Sequence, residues 1–527
     1  MMIKFHKIFL CASLLFLNIN LLFSGISFSS KDSKIAVNNS ASFGIRNSVS
    51  NWTGTLSKKS GGAVSGSTIT FDDGILYEEN VLNRLSANYL PNEAIKIFLG
   101  GNKTFKAFSG SSLNKINVFG SGNRIEGQPN FSNTDSIRLE HQNTELTLAV
   151  QSNLDSDIEL RGGKINLGND LKFVEDRIFT GSGTVDLQGY GVYFGGKKDL
   201  NLTHTIQWQN ATDTNLTGKT NFSGLWTFTG AGIINGHGNV LDMSTGGEIY
   251  LGHQASLELT DIVVRGIGTD KGTITFQDNT STLSVSNVHF DFDTDYSMTV
   301  GRMYVDGPTT ISGFFSSSRT IDLRNDLFLS GNVTLSCGQG IDGNSNTINL
   351  QGNLDVQANT PLHFRSNTLV DGHGNTINLQ DNAQLFVDTD VSVTLRNVNI
   401  KNSKNYLGDS PIKLTATTSR LILDNAKLNF VDDYYFDRGH IYFYNDVEFT
   451  GTNSFIYRST VPSYVKSGAN LKFNPNSIFD FRPSATGEPG LLAKDLLMMD
   501  DKNSKITFDG CTLKSTFTGF NLTKGSV

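Results

Sequence analysis

The chain has 527 residues, of which 53 are Gly, 9 are Pro and 18% are charged. So little charge beside 10% aromatic residues excludes a disordered chain, and 43 basic against 50 acidic residues, dispersed along the sequence, exclude nucleic acid as a partner. Abundant Gly, Asn, Ser and Thr with few prolines point to short strands joined by tight polar turns.

Residues 1–29 read as a signal peptide. Lys4 and Lys7 precede the apolar run Ile8–Phe23, and small residues follow around 24–30, the order of a secretory leader. Asn18 and Asn20 interrupt the run, which falls short of the ~20 apolar residues of a membrane span. Cleavage is expected between Ser27 and Ser30, and no later stretch has the length and apolarity of a span. Residues 30–117 form a capping or irregular region in this reading. Within it, "NVLNRLSANYL" (80–90) sets Val81, Leu82, Leu85 and Tyr89 on one helical face as a candidate cap.

Residues 118–527 carry repeats. "VFGSGNRIEG" (118–127) and "IFTGSGTVDLQG" (178–189) are faint forms of "INGHGNVLDM" (234–243), which returns as "VDGHGNTINL" (370–379) and, more loosely, as "IDGNSNTINL" (341–350). Residues 234–266 match 370–402 without gaps, and 283–313 match 421–451. The duplicated blocks, about 230–337 and 366–475, repeat with a period of roughly 137 residues.

A shorter unit lies inside each block. "LELTDIVV" (257–264), "LSVSNVHF" (283–290), "VTLRNVNI" (393–400), "LILDNAKL" (421–428) and "ITFDGCTL" (506–513) alternate apolar residues on either side of an Asn, Asp or Gly in fifth place. Period-2 alternation is a half-buried strand, and the fifth residue belongs to the types that tolerate a left-handed backbone. Strand, one-residue corner, strand is the element of an all-β solenoid whose adjacent units fall 26 to 28 residues apart. Outside the leader the cysteines are Cys337 and Cys511. Seven coils or so apart, they are expected to stay unpaired.

The coil pattern, the Asn corners and the repeated G-x-G-N-x-I openings resemble the right-handed parallel β-helix of the pectin lyase-like superfamily over roughly residues 100–520. The resemblance implies stacked parallel sheets with Asn ladders at one corner, on a fold that hosts lyases, hydrolases, tailspikes and adhesins. Polygalacturonase-like hydrolases of this fold pair a Gly-His-Gly with a set of aspartates and a later Arg-Ile-Lys. Neither His237 nor His373 has those companions, and the third copy substitutes Asn344. Turn chemistry accounts for all three copies: the glycines supply unusual backbone angles, and Asn239, Asn346 and Asn375 cap the corner before a new strand.

"DFDTDY" (291–296) and "VDDYYFD" (431–437) occupy equivalent places in the two blocks. Asp293, Asp295, Asp432 and Asp433 are candidates for Ca²⁺ or sugar contact. The preferred reading is a polar loop leaving the solenoid, with the tyrosines packing on its flank. No catalytic, cofactor or metal residue is assigned.

At the carboxyl end, residues 503–527 follow the course of 280–307 with a one-residue shift, which puts Gly525 where Gly301 falls. The last coil is therefore expected to be incomplete, with Phe517, Phe520 and Leu522 partly exposed and self-association through its strand edges. The expected function is that of an exported, non-enzymatic β-helical repeat protein of a bacterial envelope, outer surface or extracellular space, in a structural or adhesive role, with polysaccharide or host and surface proteins as partners. The alternatives are a polysaccharide lyase or glycoside hydrolase, or an autotransporter-type passenger. An open groove of Asp, Arg and Lys favours the enzyme, and a sheet face of Asn, Thr and Ser favours the binder.

Overall fold

The computed structural model describes residues 120–527 apart from 128–135, 151–152, 175–176, 196–199, 405–408, 484–485, 487–488, 517–520 and 523, and before residue 120 it describes short strands between Phe28 and Val118. The leader run Ile8–Phe23 and the candidate helix 80–90 lie outside the described residues. Among the described residues no helix is long and apolar enough to cross a membrane. Contacts divide the chain into two units, Met1–Val185 and Asp186–Val527.

Each unit is a parallel β-solenoid. In Asp186–Val527 the alternation seen in the sequence becomes an inside and an outside: Glu248–Leu251, Thr273–Phe276 and Thr376–Leu379 each bury every second residue. Successive coils pair in parallel on three sides. On the first side Leu257, Leu283, Met303, Ile321, Ile341 and Phe364 stand in register. The second side stacks Ile348, Val370, Leu395, Leu423, Phe443, Val465 and Met499. The third stacks Ile377, Ile400, Leu428, Phe449, Phe473 and Phe508. All of these are buried except Phe508, which is partly exposed. On the third side the aromatic rings stack along the axis, Phe430 on Phe449 at 5.4 Å, Phe449 on Phe473 at 5.1 Å and Phe473 on Phe508 at 5.6 Å.

The corners follow the fifth-place rule. Asp261, Asn287, Asn397, Asn425 and Gly510 have φ of 49°, 53°, 50°, 51° and 63°, all left-handed. Their side chains bond from coil to coil: Asn287 donates to Asp261 at 2.7 Å, and Asn425 donates to Asn397, which donates to Asp371. Amide groups stacked one rise apart can each donate to the coil before and accept from the coil after, which satisfies polar atoms at a turn that has no ladder of its own.

The duplicated blocks do not return to the same side. Leu259 pairs with Val285 on the first side, whereas its sequence equivalent Leu395 pairs with Val370 and Leu423 on the second. Asp261 and Asn287 thus turn the first corner, and Asn397 and Asn425 turn the next one. Coil length is the cause. Corner partners are 26 residues apart at Asp261–Asn287 and 28 at Asn397–Asn425, but Asp306 and Arg324, on adjacent intervening coils, are only 18 apart. A strand–corner–strand unit fits any corner, so the repeat can drift around the coil.

In Met1–Val185, Lys115–Val118, Ser136–Leu139 and the first half of Ile158–Leu167 pair in parallel, as do Asn123–Gly127, Glu145–Val150 and its second half. Ile116, Val118, Ile125, Leu139, Leu148 and Leu160 fill the interior. The faint repeat at 118–127 has the local geometry of the strong ones, because Asn123 donates to the Gly120 carbonyl at 2.8 Å just as Asn239 does to Gly236.

Cys337 is fully buried on the third side, while Cys511 is partly exposed beyond the last full coil. Burial pushes the Cys337 thiol up to about 12, far from the thiolate that reacts. Iodoacetamide should therefore label Cys511 and spare Cys337 until the protein unfolds, as peptide mass mapping reads directly. Equal labelling in native buffer would contradict this packing.

The carboxyl end repeats an earlier geometry. Gly301, Gly439 and Gly525 have φ of 87°, 78° and 82°. The residue after each pairs one coil back: Arg302 with Thr282, His440 with Arg420 and Ser526 with Lys505. Phe517 and Phe520 lie outside the described residues, and Leu522 is partly exposed.

Candidate functional site

The Gly-His-Gly stretches are corners. In the first, Asn235 still belongs to the first side and Asn239 to the second; in the other, Asp371 belongs to the second and Thr376 to the third. The left-handed residue is the histidine itself, with φ of 49° at His237 and 48° at His373, and Asn344 takes the same 48°. An Asx turn sets it up, Asn235 Oδ1 accepting from His237 N at 2.9 Å and Asp371 Oδ1 from His373 N at 3.2 Å. The trailing Asn ties the corner to the coil before: Asn239 donates to Leu216 O at 3.1 Å, Asn346 to Leu323 O at 2.7 Å and Asn375 to Leu350 O at 2.8 Å.

One part of the expectation needs correction. The leading glycines, Gly236 and Gly372, do not adopt positive φ; it is Gly238 and Gly374 that do, at 77° and 88°. Gly236 and Gly372 are required because the next coil presses on them. A Cβ on Gly236 would lie 2.6 Å from the Ile262 Cβ, and one on Gly372 would lie 2.6 Å from the Asn397 carbonyl oxygen. The imidazoles point outward, His237 Nε2 to Asn215 Oδ1 at 2.8 Å and His373 Nε2 to Asn349 Oδ1 at 3.4 Å.

The acidic stretches are corners too, not loops leaving the solenoid. Residues 291–296 fall inside the strand Thr282–Met298, and 431–433 bridge Arg420–Phe430 to Tyr434–Phe436. Asp293 pairs with Lys271, the Asp295 carbonyl accepts from Thr269 Oγ1 at 3.0 Å, and Asp433 accepts from Ser454 N at 2.8 Å. Asp432 lies near Lys404, whose ammonium is held up first by its bond to Asp381. The Asp293 and Asp433 carboxylates serve neighbouring coils, and among the described residues no acidic group gathers into a metal-binding cluster.

The aligned tyrosines are core, not flank. Tyr296 stacks on Phe292 at 5.2 Å and Tyr434 on Phe430 at 5.1 Å, both buried. They differ at the hydroxyl. Tyr296 donates to Ile274 O at 2.6 Å, while the buried Tyr434 hydroxyl has no partner. Removing a paired buried hydroxyl costs about 1 kcal/mol, and removing an orphaned one relieves a penalty of about 1–3 kcal/mol. Tyr296→Phe should lower and Tyr434→Phe should raise the urea midpoint; the same sign for both would contradict the assignment.

Two outward features of the second side remain. Asp371, Arg396 and Asp424 stand in register, and Arg396 donates to Asp424 at 2.9 Å and lies 4.0 Å from Asp371. This row of alternating charge is paired along its own length.

The other is an open depression on the earlier coils of the same side. Val263, His289, Thr310 and Phe328 follow one another in register across its floor. Asp261 and Asn287 form the corner rim beside Gly238, and Gln351 closes the far end. His289 Nε2 lies 3.2 Å from Ser312 Oγ, and Ser312 can donate onward to Asp291 at 3.0 Å. Sequence reasoning passed over these residues because no motif joins them and only the coil register does. A local signal exists: Leu327-Phe328-Leu329 and Ile262-Val263-Val264 are apolar on both faces of a strand, so each presents one apolar side chain to solvent.

No protein-family model, curated protein or solved structure matches the chain.

Proposed function

We propose that the chain is an exported, non-catalytic β-helical repeat protein that works by contact, in an adhesive or structural role at a cell surface or in the extracellular space. The observation that carries this reading is the placement of the two histidine corners on different sides of the coil. A repeated chemical site would keep its direction, whereas a repeated turn is free to drift. Glycoside hydrolysis further needs a proton donor and a second carboxylate set about 5–9.5 Å apart across the scissile bond, and the carboxylates of Asp293, Asp371, Asp424 and Asp433 are engaged with neighbouring coils. Export rests on Lys4, Lys7 and the apolar run Ile8–Phe23. Polysaccharides and surface proteins are the partners proposed for the outer faces.

A second reading, a polysaccharide-cleaving enzyme, draws on the Asp371–Arg396–Asp424 row, an outward stripe that mixes acid and base. One experiment separates the two. The mature protein is incubated with neutral and uronate-containing polysaccharides while reducing ends and unsaturated products are followed. We expect neither product, and a new amino terminus between Ser27 and Ser30 by mass spectrometry of the exported chain. Product release that is lost in Arg396→Ala would establish the enzyme; an intact Met1 would end the export reading.

A further inference from the structure

We infer that the depression on the second side is a subsite for one neutral pyranose residue, held between His289 and Phe328 over Thr310. The inference rests on the contact function proposed above and gives that function a ligand class. Rings in adjacent coils of this side stack face to face along the axis, as Tyr442 and Tyr464 do at 5.4 Å with planes 14° apart. Such a pair covers its own faces and offers only edges. His289 and Phe328 are instead two coils apart, with the small Thr310 in register between them.

Two strand spacings amount to about 9.6 Å. Rings set face to face at that spacing would leave a gap that a flat base, with contacts of about 3.5 Å on each face, underfills. A puckered saturated ring in contact at about 4 Å on each side fills it, since the ring itself adds thickness. Phe328 supplies an apolar face, and Val263 continues the floor.

The rim supplies polarity of one kind. Asp261 accepts from Asn287 through Oδ1 at 2.7 Å, and a carboxylate has further lone pairs for hydroxyl donors. Asn287 and Gln351 add amide donors and acceptors. Asp261 is the only carboxylate among the described residues that line the depression, with Asp291 nearby through Ser312. A ligand bearing carboxylates would meet like charge, and a neutral sugar would not. The shortening of the coils at this point, from 26 residues at Asp261–Asn287 to 18 at Asp306–Arg324, sets the small Thr310 and the lone ring of Phe328 side by side.

The test uses cellohexaose, maltohexaose and a galactan hexasaccharide as neutral probes and hexagalacturonate as the anionic one, titrated calorimetrically into the full mature chain. Thr310→Tyr fills the gap with a residue that suits an outward strand position, and Phe328→Ala removes one wall; circular dichroism checks that both variants keep the fold. We expect at least one neutral hexasaccharide to bind, with at least a tenfold loss in Phe328→Ala and no measurable binding in Thr310→Tyr. Binding of hexagalacturonate alone, binding that survives both substitutions, or no neutral binding at millimolar concentration would each overturn the subsite. None of those results touches the contact reading, which falls instead to cleavage of the saccharide.

Discussion

Trp226→Ala should be the most damaging single substitution in Asp186–Val527, lowering unfolding stability by about 3–5 kcal/mol. Trp226 is fully buried, with its ring 4.8 Å from Phe222, 5.5 Å from Trp208 at 84° and 6.1 Å from Phe194. Its Nε1 donates to His204 Nε2 at 2.8 Å in the same interior. An indole N–H only donates, so His204 Nε2 is the acceptor and carries no proton. Alanine removes the ring and leaves that nitrogen facing a cavity, which adds about 1 kcal/mol or more. Trp226→Phe keeps much of the volume and loses the donor, so it should fall between wild type and alanine. Because a solenoid couples each coil chiefly to its neighbours, the loss should also broaden or split the transition. Urea unfolding followed by circular dichroism reads both effects, and a midpoint unchanged in Trp226→Ala would place this aromatic group outside the core.

The order of these outcomes bears on what the sequence discloses. Trp208 and Trp226 sit in strands whose alternation marks them as inward, and the five corner residues from Asp261 to Gly510 were identifiable from their type and place alone. Both are local properties, set within a strand and its turn. Coil length is not local. It decides that Leu259 and Leu395, alike in sequence, face different neighbours, and that Phe328 comes to stand two rises from His289. Tyr296 and Tyr434 show the same limit in another form. Polar stretches precede them, yet the strand phase resumes at the tyrosine and turns it inward. The candidate site was therefore legible only as apolar residues out of phase, while the corners that suggested chemistry were legible as turns.

The corner itself yields the sharpest contrast between neighbouring residues. Gly236→Ala and Gly372→Ala should each cost about 1–3 kcal/mol, the range for forcing an atom into a packed interior. At Gly372 the obstacle is backbone, the Asn397 carbonyl oxygen at 2.6 Å, with the Val398 Cβ at 2.8 Å behind it. That carbonyl already accepts from Gly374 N at 2.6 Å, so it cannot swing aside as a side chain can. At Gly236 the obstacles are Ile262 side-chain atoms and the Asp261 carbonyl at 2.8 Å, so Gly372→Ala should be the worse of the two. His237→Asn and His373→Asn should instead lie within about 0.5 kcal/mol of wild type, since Asn tolerates the left-handed backbone and Asn344 already occupies the third corner at the same φ. What the histidines forfeit is an outward bond to Asn215 or Asn349, and solvent can replace it. Thermal and urea midpoints of the four single variants decide the matter. Silent glycine substitutions beside damaging histidine ones would mean that the imidazole, and not the bare backbone next to it, is what the corner is built around.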